Sequence, residues 1–183
     1  MPPGASRILA ATRSLPTGAV ALCAYLHDRL ASASVRLDGD LEFVPGEPVM
    51  MRSNDHARGL WNGDLGIIAR VVDGAEPGER GRWRAVFRRD GRLVPVPLDA
   101  LRSRLERAWA ITIHKSQGAE VDDATIVLPD EDTPILTREL VYTAITRARR
   151  GVRLVGPRAV LATAIGRRAV RATGLVGRLT GPA

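Results

Sequence analysis

The 183-residue sequence predicts an α/β fold, a mostly parallel sheet with helices on both faces, carrying a small inserted β-barrel. Short apolar runs at 8–11, 109–113, 124–128 and 152–155 alternate with helical stretches, the pattern of parallel strands joined by helical crossovers. Between about residues 41 and 101 the pattern changes to short β-branched or aromatic runs separated by Gly, Pro, Asn and Asp, which suits a small, strongly bent barrel. An apolar content of 45% is enough for a core, and the length fits one domain with a small insertion.

The elements follow in order. Residues 8–11 read as a strand and 12–18 as a polar turn. Residues 19–31 read as a helix, with Val20, Ala24, Leu26 and Leu30 along one face. Strands are expected at 48–51, 65–72, 83–87 and 93–96. Asn62-Gly63-Asp64 marks a turn, and Arg89-Asp90-Gly91 closes a hairpin between Val86 and Leu93. Residues 74–81 read as an exposed loop. Strands at 109–113, 124–128 and 152–155 then alternate with helices at 136–148, capped by Thr137, and at 157–170, where Pro157 suits the first helical position. Only the tail from Gly174 looks frayed, and there is no internal repeat.

The formal charge of +7 points to a polyanionic partner, since cations near phosphates gain from counterion release. The basic residues are almost all arginine, which codon bias alone can produce; Lys115 is the only lysine. A single cysteine, Cys23, excludes an internal disulfide and suits a reducing compartment. No basic-then-apolar leader and no run near 18 apolar residues is present, so neither export nor membrane spanning is expected and a cytoplasmic location is.

Two runs carry the chemistry. The first, Ile113-His114-Lys115-Ser116-Gln117-Gly118-Ala119-Glu120, follows directly on a strand and is expected at the carboxyl edge of the sheet, where ligands collect. Thr112, His114, Lys115, Ser116 and Gln117 offer short-range donors to phosphodiester oxygens, Gly118 permits close backbone approach, and Glu120 is an acceptor suited to a ribose hydroxyl. A solvated polar loop fits the same residues. The second run, 138–149, puts Glu139, Thr143 and Arg147 on one helical stripe, with Tyr142, Thr146 and Arg149 beside it. An arginine at such a helix end can neutralise charge on a transferring phosphoryl group; a solvated basic face is the plain alternative, which suits Arg149, Arg150 and Arg153. Nowhere does the chain carry G-x-x-x-x-G-K-[ST], the loop that cradles ATP phosphates.

In this order and spacing the two runs resemble motifs V and VI of superfamily 1 helicases. Adding 7–11 with Arg13, Gly46-Glu47-Pro48-Val49-Met50, Asn54-Asp55 and Leu60-Trp61-Asn62-Gly63-Asp64-Leu65-Gly66, the chain from about residue 6 to 175 resembles the C-terminal part of the RecD family, the alpha subunits of exodeoxyribonuclease V. The resemblance implies an ATP-dependent 5′ to 3′ DNA helicase acting in double-strand-break repair and recombination with RecB- and RecC-like subunits. It implies a second RecA-like domain at 6–40 and 102–175, an inserted SH3-like β-barrel at 41–101 and a flexible tail at 176–183. ATP and Mg2+ would be held mainly by an N-terminal RecA-like domain, with no metal ligands here. Arg13 resembles the motif IV arginine and Arg147 the motif VI arginine, both facing the γ-phosphate, with Gly118 and Glu120 on the nucleotide side. Thr112, His114, Lys115, Ser116 and Gln117 would contact single-stranded DNA.

Three departures stand out. The phosphate-binding loop is absent, so the chain alone is not expected to hydrolyse ATP. Cys23 stands where the family often has asparagine, and Leu15 where a glycine is common. A non-catalytic DNA-binding module, or a scaffold contacting RecB- or RecC-like subunits, is the alternative reading of the same sequence.

Overall fold

The computed structural model describes residues 6–33, 42–72 and 81–169. In chain order the elements are β1 (Ser6–Ala10), α1 (Ala19–Ala33), β2 (Pro48–Met51), β3 (Leu65–Val71), β4 (Arg82–Arg89), β5 (Arg92–Pro97), β6 (Leu105–Arg107), β7 (Ala110–Thr112), β8 (Val121–Val127), α2 (Arg138–Ile145), β9 (Ala148–Val155) and α3 (Arg158–Gly166). They form two sheets. One has four strands in the order β7-β1-β8-β9, all parallel; the other has five in the order β5-β4-β3-β2-β6, all antiparallel.

Alternation along β1 explains the layering of the parallel sheet. Leu9 and Ala10 are both buried but point to opposite faces. Ala10 packs with Ala19 and Cys23 of α1 and with Ala110, whereas Leu9 packs with Ile111, Ala124 and Ile126 under Leu140, Val141 and Ala144 of α2 and Val160 and Ala164 of α3. Each large side chain so buried contributes about 1.5–3 kcal/mol. Thr137 caps α2, its hydroxyl accepting from the Leu140 amide at 3.4 Å. Gly18 is needed before α1, since a Cβ there would sit 2.6 Å from the Arg13 carbonyl oxygen.

The antiparallel sheet closes over Val49, Met51, Leu60, Ile68, Phe87, Val96, Leu101 and Leu105. Its β4–β5 hairpin turns through Asp90 and Gly91, both at positive φ (48° and 77°), the two-residue geometry that matches strand twist.

The structure departs from the sequence expectation in several places. Strand β6 was not foreseen: three residues carry too little pattern, and they pair with β2 only because the chain returns there. The β7–β8 connection is not a helical crossover but residues 113–120 with one 3₁₀ turn at His114–Ser116. Because β7 and β8 run parallel, that connection starts at the carboxyl edge of the sheet and ends at the amino edge, so only its first half occupies the expected edge. Helix α2 stops at Ile145, leaving Arg147 in the turn before β9 rather than on the helix. Pro157 is the residue before α3, which ends at Gly166. The loop at 74–80 and the tail from Gly174, including 176–183, lie outside the described residues. Among the described residues no helix is long and apolar enough to cross a membrane.

Candidate nucleotide and DNA-binding edges

At the amino edge of the parallel sheet the two sequence runs converge. The Val121 amide donates to the Arg147 carbonyl at 2.9 Å, which fixes the end of the first run against the end of the second. The Arg147 guanidinium lies half-buried between them, Nε donating to the Thr143 carbonyl at 3.3 Å and Nη1 at the limit of reach (3.5 Å) from the Ala119 carbonyl. Gly118, exposed and at φ +83°, presents its backbone beside this turn. Glu120 is engaged by Arg149, whose Nε and Nη2 both donate to Glu120 Oε2 at 2.8 and 2.6 Å. That bond raises the Arg149 guanidinium further above its ordinary value, so Arg149 is paired rather than merely solvated as the sequence suggested. Gly118, Glu120 and Arg147 are thus brought together.

Arg13 is not with them. It follows the carboxyl end of β1, whereas Arg147 precedes the amino end of β9. The intervening span of β8, from the level of Ala148 at Val121 to the level of Ala10 at Val127, is roughly 20 Å of strand. Arg13 and Arg147 therefore stand at opposite edges of the sheet, and the structure does not bring Arg13 together with Gly118, Glu120 and Arg147.

The carboxyl edge holds the other candidates. His114, Lys115 and Gln117 are exposed on the 3₁₀ turn, and the Thr112 hydroxyl accepts from the Lys115 amide at 3.3 Å. Ser116 does not face outward. It is buried, and its hydroxyl donates to the Ile113 carbonyl at 2.7 Å, a local bond that removes it from the expected DNA contacts. Lys115 pairs with Glu106 of β6, and Arg13 reaches the same carboxylate at 3.7 Å. These residues rim a cleft of about 290 Å³ between α1, β7 and the antiparallel sheet, lined also by Arg52, Phe43 and Arg107.

Behind the cleft, sequence reasoning missed a buried charge cluster. Val44-Pro45-Gly46-Glu47 forms a turn with Gly46 at φ +77° and the Glu47 amide bonded to the Val44 carbonyl at 3.1 Å. The turn delivers Glu47, fully buried, to the junction of the two sheets. Its carboxylate accepts from the Val44 amide (2.9 Å), Trp109 Nε1 (3.0 Å) and His27 Nδ1 (3.1 Å), with Arg107 Nε at 3.4 Å. Arg107 Nη2 lies 3.3 Å from His27 Nε2, and as a guanidinium can only donate, which assigns the neutral His27 proton to Nδ1. Cys23 joins the same junction: its thiol donates towards the Ala110 carbonyl at 3.3 Å, accepts from the Ala110 amide at 3.4 Å, and is pushed up by burial, so it stays a neutral thiol. The available signal was the Pro-Gly-Glu turn preceding a strand, which reads as a loop when taken alone.

The UvrD-like helicase C-terminal domain family matches residues 107–155, which contain both runs. The chain is 39% identical over 179 residues, 94% of its length, to the RecBCD enzyme subunit RecD of Mycobacterium tuberculosis, of which it spans 28%. It is 45% identical over 136 residues to the RecD subunit of Mycolicibacterium smegmatis, covering 73% of the chain and 22% of that protein. It is 33% identical over 149 residues to the ATP-dependent RecD2 DNA helicase of Deinococcus radiodurans, covering 80% of the chain and 19% of the relative. The chain therefore spans less than a third of the length of these relatives. The crystal structure of a Bacteroides Pif1 helicase, in complex with ADP-AlF3 and ssDNA, superposes with a TM-score of 0.52 at 22% identity, over 95% of this chain and 44% of that one, a likeness of fold to a RecA-like helicase domain.

Proposed function

We propose a motor role from one premise: the chain belongs to the RecD family and corresponds to the C-terminal part of its members. In this reading it supplies one wall of an ATP site and a stretch of single-stranded DNA track to a helicase moving 5′ to 3′, in double-strand-break repair and recombination with RecB- and RecC-like partners. The parallel sheet and its helices act as the second RecA-like domain, and the antiparallel sheet, which runs on to β6 beyond the boundary expected at residue 101, acts as its SH3-like insert.

The observation that carries the reading is the convergence of Gly118, Glu120 and Arg147 at one edge, tied by residues 113–120 to His114, Lys115 and Gln117 at the other. Arg147 offers a permanently charged planar fork to a γ-phosphate presented by another domain, and the exposed Gly118 backbone permits close approach. A displacement at the nucleotide end of the connection is transmitted to the DNA end because the connection is short and anchored by hydrogen bonds at both ends. The sequence has no G-x-x-x-x-G-K-[ST] loop, so in this reading an N-terminal RecA-like domain holds the ATP phosphates and Mg2+.

The test is reconstitution with a RecD phosphate-binding domain. The chain alone should hydrolyse no ATP, and the pair should show DNA-stimulated turnover that Arg147→Ala lowers about 10³-fold. Because Arg147 is half-buried and bonded to backbone carbonyls, the variant should also lose about 1 kcal/mol of stability. Turnover at the wild-type rate in the reconstituted variant would remove Arg147 from the site.

A further inference from the structure

We propose that residues 52–64 present Trp61 and His56 as a stacking platform for a base of single-stranded DNA, on the antiparallel insert and away from the two motif runs. The inference rests on the DNA-track reading above and adds a contact to it.

Of the three tryptophans, Trp83 lies under the Arg70 guanidinium and Trp109 is bonded to buried Glu47, whereas Trp61 is 41% exposed at the tip of a turn. Its exposure is not a by-product of a loose loop. Adjacent Leu60 is fully buried and anchors the segment in the core, and Asp55 and Leu60 pair through reciprocal backbone bonds of 2.7 and 3.0 Å. The Trp61 amide donates to Asp64 Oδ2 at 2.8 Å, the Asn62 amide to Asn54 Oδ1 at 2.8 Å, and Asp64 is itself held by Arg89 at 2.8 Å. Buried Asp55 is clamped by Arg58 and Arg104 at 2.7 and 3.0 Å. The backbone that carries the indole is therefore held in a rigid frame, and His56 meets it in a T-shaped contact with ring centroids 5.1 Å apart, while Trp61 stays partly exposed.

The setting matches a polyanion with exposed bases. Arg58, Arg89 and Arg104 bond to Asp55 and Asp64 of the same segment and remain partly exposed. Arg52 starts the same segment and also lines the cleft shared with Lys115 and Thr112, so one residue links the segment that carries the platform to the DNA edge. Arginines track a phosphate backbone and an aromatic face takes a base from any sequence. A duplex hides its base faces and cannot use the ring.

Titrate the full chain with a short oligothymidylate, following DNA anisotropy and intrinsic tryptophan fluorescence, and repeat with the matching duplex. Trp61→Ala should weaken single-strand binding about fivefold or more with an unchanged salt slope, because stacking releases no counterions. Trp61→Phe, which keeps a ring, should recover part of the loss while abolishing the fluorescence quench. Single-strand affinity equal to wild type in Trp61→Ala, with Lys115→Ala still weakened, would overturn the platform and leave the DNA track standing. Equal losses on duplex and single strand would also overturn it, and no binding by the wild-type chain would overturn both readings.

Discussion

Glu47 and Glu120 are the same side chain paired with arginine, in two regions that treat it oppositely. At the sheet junction Glu47 is out of water and receives hydrogen bonds from a backbone amide, an indole and an imidazole, with the Arg107 guanidinium beside it as an ion-pair partner. At the amino edge Glu120 meets Arg149 in solvent, with side chains 56% and 65% exposed. Coulomb attraction at similar separation is several times stronger in the interior than at a wetted surface, and desolvation is costly there unless every donor is matched. The junction therefore fastens the insert to the parallel sheet, while the edge pair is held weakly enough to exchange its partner for a ligand.

The largest effect expected on stability follows at the junction. Glu47→Gln keeps the shape but turns one acceptor into a donor facing other donors, leaving Trp109, His27 or the Val44 amide unsatisfied. It should cost about 3 kcal/mol in urea unfolding. An unfolding midpoint equal to wild type would mean that the junction is not what couples the sheets.

That junction was the part least legible in the sequence. Strands β2 to β5 were read nearly to the residue because β-branched runs and Gly-Asp turns are local signals. The convergence of Gly118, Glu120 and Arg147 could be expected only through the family resemblance, since their meeting depends on strand order. Glu47 gave no periodic signal: a lone acid after Pro-Gly is ordinary turn chemistry, and its three donors come from α1 and the segments before β2 and β7, with Arg107 of β6 as ion-pair partner. The placements of Ser116 and Arg13 were illegible for a related reason. A hydroxyl in a polar run can satisfy its own turn, and which edge an arginine occupies is set by the topology of the whole sheet.

A second buried carboxylate gives a pH readout of intermediate size. The Arg58 hydrogen bond, with further help from Arg104, holds Asp55 below the usual carboxylate range. A depressed folded-state value means stabilisation that is present above the unfolded value and lost as pH falls through the folded one. Unfolding midpoints followed from neutral pH down to about 3 should therefore drop, with Asp132 (lowered by Arg167) and Glu139 adding to the same acid limb. Asp55→Asn should be less stable at neutral pH and show a shallower acid limb; an unchanged limb would mean that Asp55 is not ionised in this clamp.

The smallest effect on stability is expected at Glu120. Glu120→Gln removes one half of an exposed pair whose remaining partner, Arg149, is readily hydrated, so thermal unfolding of the chain should not change measurably. In the reconstituted motor the proposed ribose role predicts that the same variant raises KM for ATP more than it lowers kcat, because such a contact would be made alike in the ground and transition states and away from the transferring phosphate. Arg147→Ala should act in the opposite sense, mainly on kcat. A kcat loss for Glu120→Gln as large as that for Arg147→Ala would move Glu120 from the ribose to the reacting phosphate. A stability loss as large as that of Glu47→Gln would erase the difference between the wetted edge and the buried junction.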